Sequence, residues 1–322
     1  MDVTQIKKLL KSDLTAVDAL IVDRLSSEVA LVNQLGQYII NGGGKRLRPL
    51  LVLLAARACG CEDDRCQLTA AIVEFIHTAT LLHDDVVDAS ALRRGNDTAN
   101  AVWGNEAAVL VGDFLYSRSF QMMVDVGGTR IMEILSSATN IIAEGEVLQL
   151  MNCNDPSTTE ARYLNVIHCK TAKLFEAATQ MGAVLAELPE QQEQALASYG
   201  MHLGTAFQLI DDVLDFTASS EEMGKNMGDD MAEGKPTLPM IIALREGNKA
   251  QQNIVRETIL NGGYDNLDKV LQAIEATGAL DYTRGLAKSE ADKAIGYIDV
   301  LPDSPYKEAM VSLAHFAVER SY

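Results

Sequence analysis

Apolar positions along this chain recur at intervals of three and four residues, the spacing of a helix stripe, and no run alternates apolar with polar as a half-buried strand does. Only 7 prolines occur, none between Pro49 and Pro156, so nothing in that stretch forces a helix to end. The pattern predicts long helices joined by turns. The turns fall at Asn41-Gly42-Gly43-Gly44, Gly60 to Asp64, Arg94-Gly95-Asn96-Asp97, Gly127-Gly128, Asn152 to Pro156, Leu188-Pro189, Thr217 to Pro236 and Asn261-Gly262-Gly263. With no fixed-period repeat and no low-complexity tract, residues 1–322 read as one all-α domain.

Two predicted helices carry the chemistry. One runs from about Arg65 to Asp88, with Ile72, Phe75, Ile76, Ala79 and Leu82 as its buried stripe. The other runs from about Glu190 to Phe216, with Leu203, Ala206, Phe207, Ile210 and Leu214 in that role. Both end in aspartates, which is the wrong charge for a helix C-terminus unless a cation offsets it. The clusters are Asp84-Asp85-Val86-Val87-Asp88 and Asp211-Asp212-Val213-Leu214-Asp215, each an Asp-Asp-x-x-Asp. Positions i and i+4 lie about 5.4 Å apart along one face, so Asp84 sits with Asp88 and Asp211 with Asp215. One such motif alone reads as a solvated acidic face. Here apolar residues flank both, and carboxylates in core-grade sequence need partners; Mg²⁺ with phosphate oxygens is a suitable one.

Charge sharpens the picture. A net charge of −18 repels nucleic acid and anionic membrane, and would repel a phosphate-bearing substrate as well. The chain nevertheless holds four basic islands: Lys45-Arg46-Leu47-Arg48 after a glycine run, Arg93-Arg94, Lys170-Thr171 with Lys173, and Lys225 with Lys235. Arginine suits bidentate phosphate contacts and lysine point-charge neutralisation. The glycine-rich loop is not a Walker A motif, since Ile39 and Arg46 stand where glycine and Ser/Thr are required, nor a dinucleotide fingerprint, since Leu47 replaces its last glycine. Five cysteines at no framework spacing read as reduced thiols, with Cys59-x-Cys61-x₄-Cys66 lacking the partners of a zinc site. Met1 to Leu10 has no apolar signal region and no stretch has the length of a membrane span, so a cytoplasmic protein without a transmembrane segment is predicted.

Two Asp-Asp-x-x-Asp motifs on helices, with these basic islands, resemble the trans-isoprenyl diphosphate synthases over nearly the whole chain. The resemblance implies a bundle of long, mostly antiparallel helices around a central cavity, with about three Mg²⁺ ions held by Asp84, Asp85, Asp88, Asp211, Asp212 and Asp215. It implies that Lys45, Arg48, His77 and Arg94 bind the diphosphate of isopentenyl diphosphate. Arg93, Lys170, Thr171, Gln208 and Lys225 would hold the allylic diphosphate, with Arg46 and Lys235 as weaker candidates. Asp84, Asp88, Lys170 and Asp211 form the catalytic set; His83 is left as structural. The activity implied is Mg²⁺-dependent ionisation, condensation and proton loss, adding isopentenyl units to farnesyl diphosphate. The product implied is a long all-trans chain of octaprenyl length for quinone side chains, made by a homodimer. Ala79 and Ile76, below Asp84 on one helix, and Met123 are the expected chain-length residues, although plain core packing also explains them. Thr217 to Pro236 is a candidate lid. Cys169, where relatives often carry serine, is a candidate for thiol modification.

Four other readings compete. A shorter-chain synthase of the same family, making farnesyl or geranylgeranyl diphosphate, has the same motifs, and a non-catalytic subunit of a heteromeric synthase would be expected to lose motif residues. A class I terpene cyclase needs a second metal motif, whose one match, Asp125, Thr129 and Glu133, crosses Gly127-Gly128. A di-iron bundle needs two Glu-x-x-His motifs, and only Glu74-x-x-His77 is present.

Overall fold

The computed structural model of the chain describes residues 1–93, 95–217 and 227–320. In chain order its helices are α1 Val3–Leu9, α2 Lys11–Leu25, α3 Ala30–Asn41, α4 Leu47–Ala58, α5 Arg65–Val87, α6 Ala99–Trp103, α7 Asn105–Val126, α8 Thr129–Asn152, α9 Glu160–Ile167, α10 Lys173–Leu185, α11 Glu190–Asp215, α12 Asp229–Ala232, α13 Leu238–Glu246, α14 Lys249–Asn261, α15 Leu267–Ala276, α16 Ala279–Tyr297 and α17 Pro305–Glu319. A π-helical turn, His168–Ala172, joins α9 to α10, and Ile298–Val300 forms a 3₁₀ turn. The all-α prediction holds. Among the described residues its one departure is a hairpin of two-residue strands, β1 Leu92–Arg93 and β2 Asn96–Asp97, at the predicted Arg94 to Asp97 turn.

The chain forms two compact units. The first comprises Met1–Thr139, Leu174–Gly200 and Ile295–Leu313. Its centre is α4, whose residues from Leu50 to Ala56 are apolar on every side and all at most 1% exposed. A helix with no polar face has no side to turn to water, so others pack around it. Beside it α5 packs against α2, α4 and α7. The predicted stripe of Ile72, Phe75, Ile76, Ala79 and Leu82 is buried throughout, each large side chain contributing about 1.5–3 kcal/mol. Ala79, Ile76 and Met123 are fully buried.

The second unit comprises Asn140–Lys173, Met201–Ala294 and Ala314–Tyr322. Its core joins Leu209, Ile210 and Leu214 of α11 to Tyr163 and Ile167 of α9, with Leu238 and Ile242 of α13 and Val255 and Ile259 of α14. The Asn248 side chain caps α14 in a reciprocal box with Gln251, satisfying donors that the first turn leaves open. Phe207 departs from the expected stripe. It is half-buried, and a guanidinium covers its face. No helix among the described residues is long and apolar enough to cross a membrane.

Candidate active site

The first aspartate motif lies in unit 1 at the end of α5, where Asp88 caps the helix and donates its N–H to the Asp84 carbonyl at 2.8 Å. No basic residue occupies the last turn, so the helix dipole is uncompensated by its own side chains. Asp85 is 4% exposed, and Arg93 of β1 reaches back to its Oδ1 through Nη2 at 2.6 Å and Nε at 2.7 Å. The hairpin thus folds a cation onto the middle aspartate. Asp84 and Asp88 remain only partly buried. His83 Nε2 donates to the Val109 carbonyl of α7 at 3.2 Å, and the ring lies over Gly112, which has no Cβ to obstruct it. In the same unit Arg48 Nη1 and His77 Nε2 are 2.9 Å apart, with the Arg48 guanidinium 4.8 Å from the Phe175 ring centre. The weaker candidate Arg46 is tied to Glu74 at 2.7 Å, and Lys45 is half-buried in the loop before α4.

The second motif lies in unit 2 at the end of α11, again without a basic residue in the last turn. Asp212 is 2% exposed and both its oxygens are engaged, Oδ2 by the Tyr163 hydroxyl at 2.5 Å and Oδ1 by Gln208 Nε2 at 2.8 Å. Gln208 in turn accepts from the Thr171 hydroxyl at 3.0 Å, which links the motif to the π-helical turn. Asp215 is 5% exposed, and its Oδ2 has no hydrogen-bond partner among the described residues. Burial, and then the Asp230 carboxylate, push Asp215 up to about 9 and Asp212 up to about 8. Asp211 stays partly exposed and pairs with Arg320 at 2.7 Å.

These carboxylates suit Mg²⁺. A buried Asp215 oxygen without a partner among the described residues, and carboxyls driven toward protonation at Asp212 and Asp215, describe hard oxygen donors that a cation would satisfy. Among the described residues no three His, Cys, Asp or Glu side chains form a closed metal cage.

Lys170 and Thr171 stand on the π-helical turn, a distortion common where a helix must aim functional groups. Lys170 Nζ donates to Glu146 Oε2 at 2.6 Å and to Gln149 Oε1 at 2.7 Å, both on α8. Close approach is possible because residue 145 is glycine: a Cβ there would lie 2.7 Å from the Lys170 backbone nitrogen. Cys169 is half-buried, and burial, then Glu144, push its thiol up, which lowers its nucleophilicity at neutral pH. Lys235 is buried against Glu233. Arg94, Lys225 and residues 218–226 of the candidate lid lie outside the described residues.

The structure thus groups Arg48 with His77, Arg93 with Asp85, and Thr171 with Gln208 and Asp212. Sequence reasoning missed Tyr163, Glu146, Gln149 and Arg320. Glu146 and Gln149 are spaced to share a helix face, and that was their only local signal.

The polyprenyl synthetase family model matches residues 29–277. The chain is 54% identical over 321 residues to the octaprenyl diphosphate synthase of Escherichia coli K12, covering 99% of each, and 52% identical to that of Haemophilus influenzae, covering all of this chain and 98% of the relative. A polyprenyl synthase from Caulobacter crescentus, crystallised with calcium and isoprenyl diphosphate, superposes with a TM-score of 0.96 at 44% identity, covering 100% of this chain and 98% of that one. The chain belongs to the polyprenyl synthetase family, and its fold is the all-helical one of those enzymes.

Proposed function

We propose that this chain is a trans-polyprenyl transferase that condenses isopentenyl diphosphate onto an allylic diphosphate, farnesyl diphosphate being the expected primer, and stops at octaprenyl length. The observation that carries the reading is 54% identity across 99% of both chains to an octaprenyl diphosphate synthase, with every aspartate of both motifs present. Mg²⁺, when bound, supplies the positive charge that stabilises the departing pyrophosphate. Asp84, Asp85, Asp88, Asp211, Asp212 and Asp215 are the proposed metal-binding set, in which Asp85 and Asp212 act from anchored positions. Arg93, Lys170, Thr171, Gln208 and Lys225 orient the allylic diphosphate and neutralise its charge. Lys45, Arg48, His77 and Arg94 hold isopentenyl diphosphate so that its double bond meets the ionised carbon. No side chain acts as a covalent nucleophile, and apolar walls exclude water from the cation. Residues 1–322 act as one functional domain, as a cytoplasmic homodimer, on small-molecule diphosphates.

The test is the purified chain with farnesyl diphosphate, isopentenyl diphosphate and Mg²⁺, products being resolved by length. Octaprenyl diphosphate that disappears in EDTA is the expected result. Farnesyl or geranylgeranyl products would favour the shorter-chain reading. An inert chain that becomes active only with a second polypeptide would favour the subunit reading, and turnover undiminished in EDTA would end the assignment.

A further inference from the structure

Arg320 lies just beyond α17, far in sequence from every motif considered so far, yet its side chain is only 4% exposed. Four contacts hold it. Nη1 donates to Asp211 Oδ1 at 2.7 Å, Nη2 to the Phe207 carbonyl at 2.6 Å and Nε to the Ala317 carbonyl at 3.3 Å; the guanidinium carbon sits 3.6 Å from the Phe207 ring centre. Phe207 and Asp211 are one turn apart on α11, so the arginine grips the helix by its backbone and by the first aspartate of the second motif together.

We infer that Arg320 is a positioning residue for Asp211, fixing the carboxylate in the orientation from which it takes a metal ion. Three of its four contacts do not involve Asp211, so the cation is anchored independently and is not a loose counter-ion that an incoming metal displaces. Expelling it would leave a buried charge without its partner, which is costly. Asp211 shares its turn with Asp212 and Asp215, and like charges push an untethered carboxylate away from them. Arg320 holds one oxygen while the Asp211 side chain stays 39% exposed, which leaves an open side for a ligand. Lysine is a poor substitute, because a single ammonium cannot span the carboxylate, the carbonyl and the ring at once.

The inference rests on the reading that the second motif holds Mg²⁺. It is tested in the full chain with Arg320→Met and Arg320→Lys, by titrating Mn²⁺ in the presence of inorganic pyrophosphate and following bound metal by electron paramagnetic resonance. Loss of a group that orients a metal ligand costs about 10–100-fold in affinity, so Arg320→Met is expected to weaken Mn²⁺ about tenfold or more, with Arg320→Lys between it and the parent. In an Asp211→Asn background Arg320→Met should add nothing. The substitution should lower kcat and leave KM for isopentenyl diphosphate unchanged. Metal binding equal to or tighter than the parent's, a loss that persists without the Asp211 charge, or an effect confined to KM would each overturn the positioning role. If Arg320→Met does not fold, Arg320→Lys carries the same comparison. Failure of the parent chain itself to bind Mn²⁺ with pyrophosphate would undo the underlying reading; normal parent binding with unaffected variants would undo only this one.

Discussion

Gly145→Ala places a methyl group where the structure leaves no room. Its Cβ would stand 2.7 Å from the Lys170 backbone nitrogen and 2.8 Å from Cys169 Cβ, and neither is the end of a flexible side chain. Restoring ordinary contact requires the π-helical turn and α8 to separate by about 0.7 Å. Overpacking of this kind costs about 1–3 kcal/mol, while alanine in place of glycine inside a helix returns about 1 kcal/mol. The net loss of stability is then about 0–2 kcal/mol, a melting shift of a few degrees in a chain this long. Catalysis should suffer far more, because Lys170 is carried on the displaced backbone and is fixed to Glu146 and Gln149 at 2.6 and 2.7 Å. A misplacement approaching 1 Å costs up to about 100-fold. The expected outcome is a single-turnover rate reduced about 10–100-fold with the melting midpoint nearly unchanged. Ala143→Gly, at an exposed position on the same helix, is the matched control: it should cost about 1 kcal/mol and leave the rate alone. A Gly145→Ala enzyme with the parent's rate would refute the claim that this contact aims Lys170.

Three further outcomes follow from buried groups. Arg93→Met strands the Asp85 carboxylate, whose side chain is 6% exposed, and should lower the unfolding free energy in urea by about 3 kcal/mol; adding Asp85→Asn should recover most of it, and no recovery would mean that the pair is not coupled. Ala79→Tyr fills a fully buried site below Asp84 and should shorten the product, an unchanged product distribution showing that this face of α5 does not set length. Without metal, stability should fall as pH rises from about 4 toward the values of about 8 and 9 to which Asp212 and Asp215 are raised, because the folded chain keeps protons that the unfolded chain releases. Asp215→Asn should flatten that fall, and Mg²⁺ with pyrophosphate should oppose it; a melting midpoint independent of pH would contradict the burial of these carboxyls.

The helices were legible because their signal is periodic. The stripe from Ile72 to Leu82 is buried as its spacing requires, and both aspartate helices end within a residue or so of the expected positions. Phe207 broke the pattern for a reason that spacing cannot carry: its ring is covered by an arginine from the far end of the chain. A cation after a helix is common, so nothing in the sequence around Arg320 set it apart. The π-helical turn was equally silent. It depends on a glycine on another helix, and a glycine inside a helical pattern reads only as a weak position. The resemblance implies a diphosphate role for Arg93 but says nothing of its bond to Asp85; the hairpin that folds it there is built from strands too short to leave an alternating pattern.

In both motifs the middle aspartate is anchored, which explains why the spacing is Asp-Asp-x-x-Asp rather than Asp-x-x-x-Asp, although in the second motif Asp215 is buried as well and only Asp211 stays partly exposed. Asp84 with Asp88 and Asp211 with Asp215 share a face by helical geometry, whereas the residue after the first aspartate is rotated by about 100° away from that face. There Asp85 meets Arg93 and Asp212 meets Tyr163 and Gln208, each carboxylate nearly removed from solvent. Each middle aspartate thereby ties the helix end to a neighbouring segment: the β1–β2 hairpin in one unit, and α9 with the π-helical turn in the other. A helix C-terminus crowded with negative charge would otherwise fray. Anchored by its middle residue, the end of α5 presents Asp84 and Asp88, and the end of α11 presents Asp211, in fixed positions, and a divalent ion binding carboxylates so held need not bear the cost of ordering them.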